Sequence, residues 1–218
     1  MNSFFQNMIV IFSGNFYNKH YTAVIGYLFT TGVDGMDNSE KTRNKFVASM
    51  KKLMEAKPLD KITVKEIVEN SEMTRQTFYR NFKDKYDLVN WHFEQLADKS
   101  FRQMGVSLTL REGLVKKFHF IQNERCFFTS AFQSQDYNSL LQYDYECILE
   151  FYTGIIRRKT GKPLDKKIQF LLEMYCRGSI YMTVEWARKD MDLEPEEMAD
   201  LLILALPEPL EELLTDLN

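Results

Sequence analysis

Five side chains between positions 75 and 80 have the chemistry that reads double-stranded DNA. Arginine can bind guanine through two hydrogen bonds, glutamine can bind adenine in the same way, and threonine can contact the methyl group of thymine. The run consists of Arg75, Gln76, Thr77, Tyr79 and Arg80. An exposed helix of this composition is most often simply solvated. The run alone therefore leaves a DNA-binding surface and an ordinary exposed helix as alternatives.

Two short helices around a three-residue break would position these side chains. Thr63-Val-Lys-Glu66 has the capping-box pattern and predicts a helix that ends near Asn70, with Ile67 and Val68 pointing inward. Ser71-Glu72-Met73 forms the break, and Thr74 is expected to cap a second helix from Arg75 to Phe82. Such a pair, placed behind a longer helix, is typical of a helix-turn-helix.

The remaining chain also predicts helices and little else. With only 9 glycines and 5 prolines, the sequence has too few turn residues for a sandwich or a barrel. The apolar spacing predicts helices over 38–57, 85–104, 110–122, 124–134, 137–160, 164–190 and 195–206, with a final acidic turn over 210–217. We therefore expect an all-α fold, in which a three-helix N-terminal helix-turn-helix domain precedes a C-terminal helical bundle.

The charge distribution and composition suggest domain limits. Residues 37–90 have a net charge of +3 and residues 91–218 a net charge of −6, within a total of −3. We predict a DNA-binding domain over 37–90, with its motif at 63–82, and an effector-binding and dimerisation domain over 91–218. Residues 1–36, rich in aromatic residues and nearly uncharged, are predicted to be an extension upstream of a start at Met36. An aromatic arm that packs on the body or on a partner is the alternative.

The segment from Ile62 to Leu88 resembles the DNA-binding signature of the TetR/AcrR regulators, most specifically in Thr77-Phe-Tyr-x-x-Phe-x-x-Lys85. The resemblance implies that Arg75 and Gln76 read bases, and that Thr63 and Lys85 hold phosphates at helix starts. The full predicted set of DNA-binding residues is Thr63, Thr74, Arg75, Gln76, Thr77, Tyr79, Arg80 and Lys85. Family members often have glycine in the turn, where this chain has Glu72, and a left-handed backbone there would cost glutamate about 1 kcal/mol. Many members also have glycine in place of Gln76, so Gln76 is expected to alter the sequence preference.

The C-terminal half resembles regulators of dihydroxyacetone-kinase operons. The matching pieces are Ile121-Gln-Asn-Glu124, Tyr175-x-x-Gly178, Val184-Glu-Trp186 and Pro195-Glu-Glu-Met198-Ala. This resemblance implies an all-helical domain whose last two long helices pair with those of a second copy. Gly178, Tyr181, Met182 and Trp186 are the predicted dimer contacts, with packing inside one subunit as the alternative. The dimer would place two recognition helices one DNA turn apart on a palindromic operator.

Aromatic residues of the C-terminal half define a candidate effector pocket. The predicted lining consists of Phe101, Phe118, Phe128, Phe132, Tyr152 and Tyr175. Aromatic residues at helical spacing are more often plain core, so this assignment stays open. The sequence equally leaves open whether the effector is a small molecule or a protein.

Other classes of protein fit the sequence less well. It contains no GxGxxG, P-loop, GxSxG or HExxH motif, so we expect no enzyme and no cofactor. Cys126, Cys147 and Cys176 are too far apart for a zinc knuckle, His92 and His119 have no second ligand nearby, and we expect no metal. No apolar run is long enough to span a membrane, and a cytoplasmic location is expected.

The sequence therefore predicts a homodimeric DNA-binding transcriptional regulator, a repressor that an effector releases. Two alternatives remain, an activator controlled by a protein partner and a helical adaptor that does not bind DNA.

Overall fold

Ten α-helices and two short 3-10 turns make up the part of the chain that a computed structural model describes, residues 38–214. The 3-10 turns are Leu59–Lys61 and Phe101–Gln103. The helices are α1 Asn38–Met54, α2 Val64–Asn70, α3 Arg75–Asn81, α4 Lys85–Ala97, α5 Leu110–Asn123, α6 Arg125–Phe132, α7 Leu140–Thr160, α8 Lys166–Arg188, α9 Pro195–Leu204 and α10 Glu208–Leu214. This confirms the predicted all-α class. The predicted extension over residues 1–36 lies outside the described residues.

Helices α1 to α3 pack around a small aromatic core. The ring of Phe46 on α1 meets the ring of Phe78 on α3 edge-on, with 5.3 Å between centroids. Phe82 lies 5.7 Å from Phe78 and is equally buried, and Ile67 of α2 is fully enclosed. Edge-to-face pairs add to the stabilisation that burial provides. The core therefore fixes which face of α3 is hidden and which is exposed.

Two helices end earlier than their apolar spacing predicts. Helix α1 ends at Met54 instead of Lys57, because a residue that precedes a proline such as Pro58 avoids the helical conformation. Helix α4 ends at Ala97 instead of Met104. There the Ser100 hydroxyl donates to the Leu96 carbonyl over 2.7 Å, and the Ser100 amide bonds to Ala97, which replaces the α-helical pattern.

The C-terminal half is a bundle in which α5 packs along α9 and α7 packs along α8. Gly161 ends α7 with a φ of 67°, a left-handed conformation that glycine adopts without strain. Asp165 then caps α8 by accepting a hydrogen bond of 2.8 Å from the Ile168 amide. These signals in a short connection make α7 and α8 the two long neighbours of the bundle.

Side chains of the bundle also contact the N-terminal helices. The Glu124 carboxylate, between α5 and α6, binds Lys51 of α1 over 2.7 Å and His92 of α4 over 2.6 Å. Burial opposes ionisation of Glu124, but the hydrogen bonds from His92 and Lys51 outweigh it and hold the pKa of Glu124 below its ordinary value. Glu124 thus joins three elements through charge-assisted hydrogen bonds.

Candidate functional site

Helix α3 has one buried face and one exposed face. The Thr74 hydroxyl oxygen accepts the Thr77 amide over 3.1 Å and starts the helix, as its sequence position predicts. Phe78 anchors the inner face. Arg75, Gln76, Tyr79 and Arg80 all lie on the exposed face, while Thr77 is half-buried beside its cap.

The exposed face of α3 has free polar groups. Within residues 38–214, the side chains of Arg75, Gln76 and Arg80 make no hydrogen bond and no ion pair. Tyr79 is 59% exposed, and its ring is nearly perpendicular to the ring of Phe78, with 5.5 Å between centroids. Guanidinium and amide groups in this state keep all their donors for a ligand. The structure thus brings together the predicted base-reading residues on one surface.

Helix α2 begins with the predicted capping box. The Thr63 amide donates to Glu66 over 2.9 Å, and the Glu66 amide donates back to the Thr63 hydroxyl oxygen over 3.3 Å. Lys57 also binds Glu66, and the hydrogen bonds from Lys57 and Thr63 lower the pKa of Glu66 to about 2. The carboxylate therefore stays ionised at the start of α2, where the Thr63 side chain was predicted to meet a phosphate.

The start of α4, where Lys85 was predicted to hold a phosphate, is occupied by groups of the protein itself. The Asp84 carboxylate accepts the amides of Tyr86 and Asp87 over 2.8 and 2.9 Å, so the helix provides its own anion there. The Lys85 ammonium donates to three backbone carbonyls of the turn that precedes α2. The predicted phosphate ligand is thus engaged inside the protein.

A second feature is a cavity in the C-terminal bundle, between α5, α7, α8 and α9. Its volume is about 10 Å³, close to the space that one water molecule needs. The lining residues are Phe101, Leu114, Lys117, Phe118, Ile148, Tyr152, Tyr175, Ser179, Thr183 and Leu202. Four of the six predicted pocket residues are among them. Phe128 and Phe132 are not, because the ring of Phe128 packs against the rings of Phe127 and Phe132 in another part of the core.

The cavity lining contains a charged residue, Lys117, that was not among the predicted pocket residues. The Lys117 ammonium lies 3.0 Å from the fully buried Asp144 carboxylate, and its side chain also lines the cavity. Burial raises the pKa of Tyr152 well above its usual value, so its hydroxyl is neutral. Tyr152 is itself buried, and its side chain lines the cavity. Lys117 and Asp144 are 27 positions apart, and only the packing of α5 against α7 brings them together.

Helix α8 has an exposed apolar face. Phe170, Met174, Tyr181 and Met182 are each more than half exposed, and a Cβ added at Gly178 would meet nothing within 4 Å. Of the predicted dimer contacts, Gly178, Tyr181 and Met182 lie on this face. Trp186 does not, since its ring packs on Phe118 and its indole N–H donates to the Leu193 carbonyl over 2.9 Å. Phe170 and Met174 were missed, although their spacing continues the same stripe.

A metal site would need several ligating side chains close together. Within residues 38–214, no three His, Cys, Asp or Glu side chains come together as a metal ion would require. In the same range, no helix combines the length and the apolar character of a membrane span.

Comparisons with known proteins agree with this arrangement. Residues 48–90 match the family model described as bacterial regulatory proteins, tetR family, and residues 109–207 match one described as transcriptional regulator C-terminal region. A search of curated protein sequences found no match.

Two solved structures resemble the fold. The dihydroxyacetone kinase operon activator DhaS has 16% sequence identity and a TM-score of 0.55, over 79% of this chain and 96% of that chain. FadR of Thermus thermophilus, a TetR family transcriptional repressor solved in complex with lauroyl-CoA, has 13% identity and a TM-score of 0.49, over 75% and 92%.

Proposed function

Because the chain belongs to the TetR family of bacterial regulatory proteins, we propose that it is a dimeric regulator that represses transcription until an effector releases it from a palindromic operator. The family match places it among transcriptional regulators with an effector-binding C-terminal domain. The observation that carries the finer proposal is the exposed face of α3, where Arg75, Gln76 and Arg80 keep free donors beside Tyr79.

In this proposal, residues 37–90 bind DNA and residues 91–218 dimerise and bind the effector. Arg75 and Gln76 hydrogen-bond to base edges in the major groove, while Thr74, Thr77, Tyr79 and Arg80 contact the backbone or bases. The start of α2 at Thr63 is the phosphate contact that the family resemblance implies. The exposed basic residues of α1, such as Lys41 and Lys45, add charge on the same half of the chain.

The apolar face of α8 is proposed to pair with the same face of a second copy. Exposed methionine and aromatic side chains of this kind mark interfaces more often than free surface. Gly178, in the middle of the face, lets two helices approach closely. Pairing would place two copies of α3 about 34 Å apart, the distance of one DNA turn.

Effector release is proposed to work by a population shift. A ligand can disfavour DNA binding only if it binds better to the conformation whose recognition helices have the wrong spacing. The cavity lined by Phe101, Phe118, Tyr152 and Tyr175 is the proposed place of binding, and it must widen to admit more than a water molecule. Lys117 offers it a charged donor and Tyr152 a neutral one.

One observation favours a second candidate, a regulator controlled by a protein partner and acting as an activator. A cavity of about 10 Å³ admits no small organic molecule without rearrangement. A protein effector would instead bind the outside of the bundle and shift the same equilibrium.

The test is selection of bound duplexes from a random-sequence library, followed by fluorescence anisotropy on the selected and scrambled duplexes over a salt series. We expect a palindromic product bound at least about a thousandfold more tightly than scrambled DNA. The double variant Arg75→Ala with Tyr79→Ala should lose this preference. The matched control replaces the exposed Arg157 and Tyr137 of the C-terminal half and should keep it. If no sequence is enriched, the helical adaptor that does not bind DNA becomes the better interpretation. Equal loss in both double variants would show that α3 is not the surface that reads the operator.

A further inference from the structure

A single ammonium group holds the turn between α1 and α2. Lys85 Nζ donates to the carbonyl oxygens of Leu59, Asp60 and Ile62, each over 2.9 Å. A lysine ammonium has three N–H donors and no acceptor, so these carbonyls use its full capacity. Thr63, the cap of α2, is the next residue after Ile62. The clamp therefore acts directly on the entry to the helix-turn-helix.

The position of Lys85 connects distant parts of the chain. It is the first residue of α4, and the carbonyls that it binds lie 23 to 26 positions earlier. Partial burial lowers the pKa of Lys85, while the Asp60 carboxylate acts in the opposite direction. Moving the ammonium out to a phosphate would break three charge-assisted hydrogen bonds, which are stronger than neutral ones.

The other side of the same turn contacts the C-terminal half. Asp60 Oδ1 accepts the Ser134 hydroxyl over 2.5 Å, and Asp60 Oδ2 accepts the Gln135 amide over 3.4 Å. The Leu59 amide donates to the Ser130 hydroxyl oxygen of α6 over 3.1 Å. The turn is thus fixed between α4 on one side and α6 with its following loop on the other.

We propose that Lys85 is a positioning residue, which holds this turn so that α2 and α3 keep a fixed orientation to α4 and the C-terminal half, and that it is not a phosphate ligand. The proposal rests on the proposed DNA-binding function for its effect on the operator. Its structural part, the occupied ammonium, can be tested without DNA.

The first experiment needs no variant. The native protein, free and bound to the selected operator, is acetylated with an amine-reactive reagent and the modified lysines are followed by mass spectrometry. Lys83 is the control, because it is exposed and only two residues away. In the free protein, Lys85 should react at least tenfold more slowly than Lys83, and DNA should leave its rate unchanged. Fast reaction of free Lys85, with protection by DNA, would make it a phosphate ligand after all.

The second experiment compares Lys85→Met with Lys83→Met. Methionine keeps most of the apolar stem and removes the ammonium. For Lys85→Met we expect at least tenfold weaker operator binding, with an unchanged slope of log K against log salt. We also expect at least tenfold faster hydrogen exchange of the amides over 59–66. Lys83→Met should leave that exchange unchanged.

Two results separate the proposal from its premise. A slope reduced by about 0.9 for each lost phosphate contact, with unchanged hydrogen exchange, would overturn the positioning role. If the native protein prefers no duplex, the DNA-binding function fails, while the reactivity of free Lys85 and the hydrogen exchange still decide the clamp. Circular dichroism of Lys85→Met checks that its helices are intact, and if they are not, the acetylation rates alone decide.

Discussion

Helices α3 and α8 each leave one face uncovered by residues 38–214, and the two faces have opposite chemistry. The α3 face has Arg75, Gln76 and Arg80, and the α8 face has Phe170 and Met182. Exposed polar residues are ordinary on any helix, whereas a contiguous exposed apolar stripe is not. The exposed stripe on α8 therefore indicates an interface by itself. The geometry of α3 becomes informative only together with its motif.

The largest effect should come from a charge placed on the apolar face of α8. Met182→Glu would bury a carboxylate in the proposed dimer seam without a partner, which is costly. We expect the dimer dissociation constant to rise at least about a hundredfold, equivalent to roughly 2.7 kcal/mol, and operator affinity to fall with it. Sedimentation velocity and anisotropy measure the two quantities.

Lys162→Glu is the control, since it introduces the same side chain at an exposed position in the connection that precedes α8. Because Met182 is 52% exposed, the helix content of its variant should not change. A Met182→Glu protein that remains a dimer would show that the apolar face is covered by something other than a second copy.

A substitution on the polar face of α3 should change operator binding without changing the dimer. Arg75→Ala is expected to cost about 1–3 kcal/mol of operator binding and to relax selection at one base position, because one bidentate contact is lost. The dimer should be unaffected, in contrast to Met182→Glu. Repeating the duplex selection with the variant measures the change. Equal weakening on every sequence would move Arg75 from base reading to the phosphate backbone.

Local sequence signals predicted the N-terminal half well. The Thr63 capping box, the Thr74 cap and the inward Ile67 all depend on residues within four positions of one another, and the structure confirms each. The contacts of Lys85 could not be predicted in the same way, because the three carbonyls that it binds lie 23 to 26 positions away in sequence. No local pattern reports a contact of that kind.

Local signals were less informative in the C-terminal half. Its helices were predicted with errors of a few residues, but aromatic spacing cannot tell core from cavity. Tyr152 and Tyr175 line the cavity, whereas Phe128, with the same periodicity, packs elsewhere. Aromatic spacing also failed to place Trp186, which is buried although it lies only four residues from the exposed Met182. Which side of a helix is covered depends on neighbours that are distant in sequence.

Helix α4 packs against both α1 and α7 and so connects the two halves of the chain, and Glu94 forms part of that connection. It binds Arg102 and accepts the Tyr143 hydroxyl of α7. Burial opposes its ionisation, but the hydrogen bonds from Arg102 and Tyr143 outweigh it and lower the pKa of Glu94. A lowered folded pKa means that the contribution to stability is present above about pH 4.5 and is lost as the pH falls through the folded value.

Glu94→Gln should therefore lower the free energy of unfolding by about 2 kcal/mol at pH 7, and the difference from the native protein should shrink toward pH 3. Urea unfolding at several pH values measures it. Glu150→Gln, at an exposed site on α7, is the control and should show no such trend. A difference that stays constant from pH 7 to pH 3 would mean that packing, and not the charge of Glu94, joins α4 to α7.

The smallest expected effect concerns Glu72, in the turn that connects α2 to α3. Glu72 has a φ of 56°, in the left-handed region that costs a residue with a Cβ about 1 kcal/mol. Glu72→Gly should remove that cost and raise the free energy of unfolding by somewhat less than this amount, since glycine also gains freedom in the unfolded chain. Glu69→Gly, one turn earlier in the regular helix α2, should instead lower it. If both substitutions destabilise the protein equally, the turn is not strained, and glutamate at this position costs α3 nothing.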